Sequence, residues 1–146
     1  MVADAPGDQR LADIVSREKR SAMMAAVRGK DTKPELVVRR LVHRAGYRFR
    51  LHRKNLPGAP DLVLPSRRIA IFVHGCFWHG HLGCRYATVP KTRRAFWVGK
   101  IKANRLRDAR AKRALQKSDW RVIVIWECDT RNAERLREVL LPYLVC

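Results

Sequence analysis

The sequence predicts an α/β domain in which helices flank a mixed central sheet, on three observations. The element signals run helix, strands, helix, strand, helix. Two segments, RIAIFVHG and WRVIVIWEC, are apolar runs rich in β-branched residues, as expected of strands covered on both faces. Hydrophobic residues make up 47% of 146 positions, enough for one real core, and neither an internal repeat nor a second domain is visible.

Taken in order, residues 1–16 are small and polar with Pro6 and Gly7 and read as a flexible arm, leaving 17–146 as a single domain. SREKRSAMMAAVRGK reads as a basic helix with Met23, Met24 and Val27 on its apolar side. TKPELVVRRLVHRAGY places Thr32 and Glu35 in capping-box spacing and Pro34 in the first turn, and ends near Gly46; a helix follows from all three. RFRLHRK reads as a strand edge, LPGAPDLVL as a turn leading into an apolar strand, and RIAIFVHG as the neighbouring strand. KTRRAFWVGKIKANRLRDARAKRALQK then carries Phe96, Ile101, Leu106 and Leu115 among many basic residues as a long helix. WRVIVIWEC is the buried strand to which Trp120 and Trp126 belong as core residues, and AERLREVLLPYL is an amphipathic helix whose end Pro142 disturbs.

The charge narrows the partner. Thirty-two Lys and Arg face 13 Asp and Glu, a formal +19 that exceeds what solubility needs. The basic residues are spread through helices and loops and no apolar run would span a bilayer, so nucleic acid fits better than a membrane surface. The first twenty residues have no signal-peptide segment, which predicts a cytoplasmic protein. Of four cysteines, three lie among histidines or at a strand end and Cys146 is terminal, a pattern that favours metal binding in a reducing compartment over disulfides.

The stretch HGCFWHGHLGC, residues 74–84, concentrates the chemistry. Cys76, His81, Cys84 and Cys128 offer three thiolates and one imidazole, the soft set of four that a closed structural zinc site requires, with Gly75, Gly80 and Gly83 letting the loop fold tightly. The competing reading makes Cys128 a small buried hydrophobe. Asp61 follows Pro60 at the start of a strand, where it can hold Mg²⁺ through oxygen or serve as a turn residue. His43 sits in a helical pattern as a solvated or packed residue. His79 is spare once the zinc set is assigned, and it suits either a general base acting on water or a supporting or substitute zinc ligand. Phe77, Trp78 and Trp97 are aromatics on a cationic chain, fit to stack on bases or wedge between them, or else to pack in the core.

Through RSAMMAAV, DTKPE, LPGAPDLV, IFVHGCFWHGH, KTRRAFWVGKIKANRLRD and WRVIVIWEC, in this order over residues 20–128, the chain closely resembles the very short patch repair endonucleases. These are bacterial enzymes that nick DNA beside a G·T mismatch left when 5-methylcytosine deaminates. The resemblance implies a restriction-endonuclease-like core with one structural zinc on Cys76, His81, Cys84 and Cys128. It implies that Asp61 binds a catalytic Mg²⁺, that His79 is the general base oriented by Asp108, and that Glu35 and His74 complete the site. Phe77, Trp78 and Trp97 would intercalate from one groove and Met24 with Val27 from the other, while Lys100 and Asn104 would touch the mismatched pair. Val73 stands where familiar members carry Thr; a metal contact through its carbonyl survives that change and a hydroxyl role does not. The interval from His81 to Cys84 is one residue longer than in the enterobacterial pattern. The strand RIAIFVHG lacks the acidic residue and lysine usual in restriction enzymes, as the family itself does. The implied partner is double-stranded DNA with a G·T mismatch, acted on by a monomer in the nucleoid, with a MutL-type mismatch-repair protein as a second candidate partner. Two other functions share the composition: a zinc-stabilised DNA wedge that does not cut, and a small restriction-type nuclease without mismatch choice.

Overall fold

In a computed structural model that describes residues 32–144, the segments LPGAPDLVL and RIAIFVHG pair as antiparallel neighbours. They form β2 (Leu62–Leu64) and β3 (Ile69–His74), with Leu62 opposite Ile71 and Leu64 opposite Ile69. A single 3-10 turn, Pro65–Arg67, joins them and closes on Arg68 in the left-handed region. The short β1 (Arg50–Leu51) lies antiparallel on the outer edge of β2, and β4 (Arg121–Trp126) lies parallel to β3 on its other side. Among the described residues the sheet order is β1-β2-β3-β4, so the sheet is mixed, as predicted. Among the described residues three helices accompany it: α1 (Lys33–Arg44), α2 (Arg94–Lys117) and α3 (Ala133–Leu144). The predicted arm and its boundary at 16/17, the basic helix with Met24 and Val27, and Cys146 lie outside the described residues.

The period of two along each strand assigns the layers. Leu62, Leu64, Ile69, Ile71, Ile123 and Ile125 share one face and pack against Val38 and Val42 of α1 and Leu136, Leu140 and Leu144 of α3. Ala70 and Phe72, with Val122 and Val124, occupy the other face and meet Leu115 of α2. Each fully buried Leu or Ile contributes about 1.5–3 kcal/mol. His74 continues the row of Ala70 and Phe72, and Trp126 that of Val122 and Val124. Alternation alone therefore delivers both to the side of the sheet that α2 covers.

Burial is uneven along α2, β4 and α3. Helix α2 buries Ile101 and Leu115, but Phe96 and Leu106 are 40% and 51% exposed. A helix of 24 residues is about 36 Å long, while a six-residue strand spans about 20 Å, so much of α2 overhangs the sheet. Trp120 is half-buried and packs on the core cluster of Ala70, Phe72 and Leu115, whereas Trp126, expected in the core, is half-buried against His74 and His81. Pro142 does not end α3, which continues to Leu144. A proline in the last turn removes one intrahelical bond, and the buried Leu140 and Leu144 keep that turn in place. Among the described residues no helix is long and apolar enough to cross a membrane.

Candidate active site and metal centre

At the end of β3 the chain coils back on itself through backbone bonds from His79 N–H to the Gly75 carbonyl (3.1 Å) and from His81 N–H to the Cys76 carbonyl (2.9 Å). Gly80 permits this with a φ of +61°, and a Cβ there would stand 2.6 Å from Ile101 of α2. The loop is thus pressed against α2, and consecutive histidines on either side of the glycine enter two different clusters.

The first cluster is His74, His79 and Asp108. His79 Nδ1 lies 2.6 Å from Asp108 Oδ2, and the His74 ring stacks on His79 at 3.8 Å with 4° between planes. Burial would push the Asp108 carboxyl up, but the hydrogen bond from His79 and the nearby charge of His74 outweigh it and hold Asp108 below the ordinary carboxylate value. An ionised carboxylate only accepts, so Nδ1 carries the proton and Nε2 of His79 is left as the basic nitrogen. His74 is pushed down to about 4, first by burial and then by His79, and so stays neutral at physiological pH. Among the described residues its buried Nδ1 has no hydrogen-bond partner.

The second cluster, Glu35, His52 and Asp61, comes from the first turn of α1 and the β1–β2 hairpin. Asp61 Oδ2 accepts the Val73 N–H at 2.7 Å, while the Val73 side chain packs into the core between the sheet and α1 with α3. The Asp61 carboxyl is raised to about 6, chiefly by burial, against the Val73 hydrogen bond, with Glu35 adding repulsion. Glu35 is 3% exposed and its carboxylate meets Arg39, one turn along α1, and His52 Nε2 at 3.0 Å. Asp61 is thus tied by its backbone to β1 and by its side chain to β3.

The third cluster holds Cys76, His81, Cys84 and Cys128, whose ligand atoms all lie within 4.8 Å of one another. Cys128 reaches it from a 3-10 turn, Glu127–Arg131, that follows β4 directly. Burial pushes the Cys76 thiol up to about 12 and raises Cys128 as well. Cys84 is lowered: a desolvation effect that would raise it is outweighed by the backbone N–H of Tyr86 and by the other thiols. The longer interval from His81 to Cys84 does not keep either residue from the cluster. His81 stacks on Trp126 at 4.1 Å, and the same indole meets His74 edge-on at 5.4 Å.

Beside these, Phe77, Trp78 and Trp97 form a mutual set of edge contacts with centroids 5.1, 5.4 and 5.9 Å apart, extended by Phe96 at 5.0 Å from Trp97. All three of the predicted aromatics are half-buried. They pack on one another rather than in the core. Asn104 donates to the Trp78 carbonyl at 2.8 Å and accepts from Arg107. Trp97, Lys100, Asn104 and Asp108 recur at helical spacing, so one face of α2 serves the aromatic set and the His79 pair together. His43 is exposed.

Sequence reasoning missed His52. The signal was there: Arg50 pairs with Val63 and Leu51 with Leu62, so the next pair in the hairpin is His52 with Asp61. Reading the register across the LPGAP turn would have placed that imidazole opposite the carboxylate.

Comparisons with known proteins identify the family. A family model described as DNA mismatch endonuclease Vsr matches residues 12–85. The chain is 53% identical over 136 residues to a type II nicking enzyme, V.XorIIP, of Xanthomonas oryzae pv. oryzae, covering 90% of this chain and 99% of that one. It is 41% identical over 131 residues to the DNA mismatch endonuclease Vsr of Escherichia coli (90% and 83% covered) and 40% over 130 residues to the nicking enzyme V.NmeAIP of Neisseria meningitidis (89% and 92%). Matched through half its length by the family model and through nearly all of it by such relatives, the chain belongs to the Vsr family of DNA mismatch endonucleases.

Proposed function

We infer that this DNA endonuclease nicks one strand of duplex DNA beside a G·T mismatch in a Mg²⁺-dependent reaction. The observation that carries the reading is the His79–Asp108 pair, which shares one end of the sheet with the carboxylates of Asp61 and Glu35. Glu35 is buried and Asp61 half-buried, the two carboxylates are close enough to repel, and oxygen donors of this kind suit Mg²⁺. Asp61 would hold the ion with Glu35, and Val73 would contribute only through its backbone, so valine in place of threonine costs the site nothing. When bound, the ion supplies charge neutralisation at the scissile phosphate. Nε2 of His79 takes the proton of the attacking water, and Asp108 keeps the ring oriented and balances the imidazolium that forms. Neutral His74, stacked beneath, fixes the plane of the ring.

Mismatch choice follows from the aromatic set. Phe77, Trp78 and Trp97 enter the duplex where stacking is already weak, with Asn104 bracing the Trp78 backbone and Lys100 alongside it on α2. Met24 and Val27, outside the described residues, would enter from the other groove. The Cys76, His81, Cys84 and Cys128 cluster would hold a structural Zn²⁺: three crowded sulfurs, two of them with raised thiol values, cannot ionise together without a cation, and three sulfurs with one imidazole fit a tetrahedral site. We take the core as restriction-endonuclease-like, residues 17–146 as one domain after the 1–16 arm, and the working form as a cytoplasmic monomer on nucleoid DNA, with a MutL-type protein as candidate partner.

The test is strand-resolved cleavage of end-labelled duplexes with Mg²⁺, comparing G·T with matched G·C and A·T in several sequence contexts. The expected result is a nick confined to the T strand of G·T and lost in Asp61→Ala with binding retained. Binding without any nick would favour a non-cutting wedge, and double-strand cuts in matched DNA a restriction-type nuclease.

A further inference from the structure

The geometry points to His52 as a direct protein ligand of the catalytic divalent cation, beside Glu35 and Asp61, giving a site that prefers manganese to magnesium. The inference rests on the reading above that Asp61 and Glu35 hold that cation.

The chain goes to some trouble to put this imidazole there. His52 follows the last residue of β1 and adopts a φ of +48°, in the left-handed region that side chains with a Cβ seldom occupy. Such a conformation persists where the surroundings fix it. Here the His52 N–H is held by the Asp61 carbonyl at 3.1 Å, so the metal-binding residue itself anchors the strained one. The side chain is 16% exposed, and its ring nitrogen lies within 4.8 Å of carboxylate oxygens of both Glu35 and Asp61.

The hydrogen bonds agree with a ligand. Nε2 of His52 is 3.0 Å from Glu35 Oε2 and 3.1 Å from Arg39 Nη2, and the same Nη2 also contacts Glu35. A guanidinium nitrogen only donates, and with two hydrogens it can serve both neighbours. On that assignment Nε2 is the unprotonated nitrogen, and its one lone pair and Oε2 both face the Arg39 guanidinium, whose place a divalent cation would take. Adjacent ligands about 2.1 Å from an octahedral ion stand roughly 3.0 Å apart, which is the spacing of this N/O pair. Two carboxylates alone are a hard, all-oxygen set suited to magnesium, whereas an added imidazole shifts preference toward the first-row transition metals.

The competing role is that His52 only braces Glu35. Manganese titration of the full-length protein, followed by the electron paramagnetic resonance signal of the free ion, separates the two in wild type, His52→Gln and Asp61→Ala. His52→Gln should weaken Mn²⁺ by about tenfold or more, and Mg²⁺, measured by competition, distinctly less. Electron spin echo of bound Mn²⁺ should carry nitrogen modulation in wild type that disappears in the variant. Unchanged Mn²⁺ affinity or unchanged modulation in His52→Gln, with binding lost in Asp61→Ala, would overturn the ligand while leaving the Asp61 site intact. Indifference of Mn²⁺ to Asp61→Ala would instead remove the underlying assignment. Should His52→Gln fail to fold, as circular dichroism would reveal, His52→Asn replaces it, and absence of nitrogen modulation in wild type overturns the inference by itself.

Discussion

Asp61 illustrates how a side chain proposed for chemistry can count against stability. Its carboxyl is raised from 3.8 to about 6, so the folded protein prefers it protonated and the unfolded chain does not. The penalty of holding the charge is absent below about pH 4, builds up between about pH 4 and 6, and is complete above that. Two units correspond to roughly 2–3 kcal/mol. Asp61→Asn should therefore be more stable than wild type by about that amount in urea melts at pH 8 without divalent cation, and no more stable at pH 4. Equal stability at pH 8 would mean that the folded protein already compensates the Asp61 charge. Much of this site was legible residue by residue. Cysteines and histidines crowded within eleven positions announce their chemistry through side-chain type, and Asp61 is marked by its place at a strand start. His52 carries no such mark in RFRLHRK, because its meaning lies in a cross-strand register and not in its neighbours.

At the scale of elements, the 74–84 loop and α2 act as one unit. Gly80 separates His79, which pairs with Asp108, from His81 in the cysteine cluster, and its missing side chain is what lets the loop touch Ile101. Gly80→Ala would add both left-handed strain and a 2.6 Å contact, costing roughly 1–3 kcal/mol. The expected outcome is a lower melting temperature together with loss of nicking, read by thermal denaturation and by the G·T assay on the same preparation. A variant with unchanged melting and activity would show that the loop is not pinned to α2. The helices, strands and mixed sheet within the described region followed from periodicity, since α1, β2, β3 and α3 each present one clear apolar pattern. The overhang of α2 did not follow. Phe96 and Leu106 look like core residues in a helical pattern, and only the shorter length of the strands beneath explains why they are exposed.

For the whole molecule, a formal charge of +19 on 146 residues makes phosphate neutralisation the dominant source of affinity. Binding to matched duplex should fall on the order of a thousandfold between 50 and 200 mM salt, as measured by fluorescence anisotropy. A shallow dependence would show that few of the basic residues reach the backbone together. On the proposed reading the preference for G·T over G·C should change much less, because stacking against the aromatic set would supply it. Trp126 sets a different kind of limit. Its indole stacks on His81 and meets His74 edge-on, so the cysteine cluster and the His74–His79–Asp108 cluster have a wall in common. The two are therefore not independent modules that evolution or an engineer could exchange separately. A descendant that discarded its cysteines would have to refill the space under that indole before its nuclease could survive the loss.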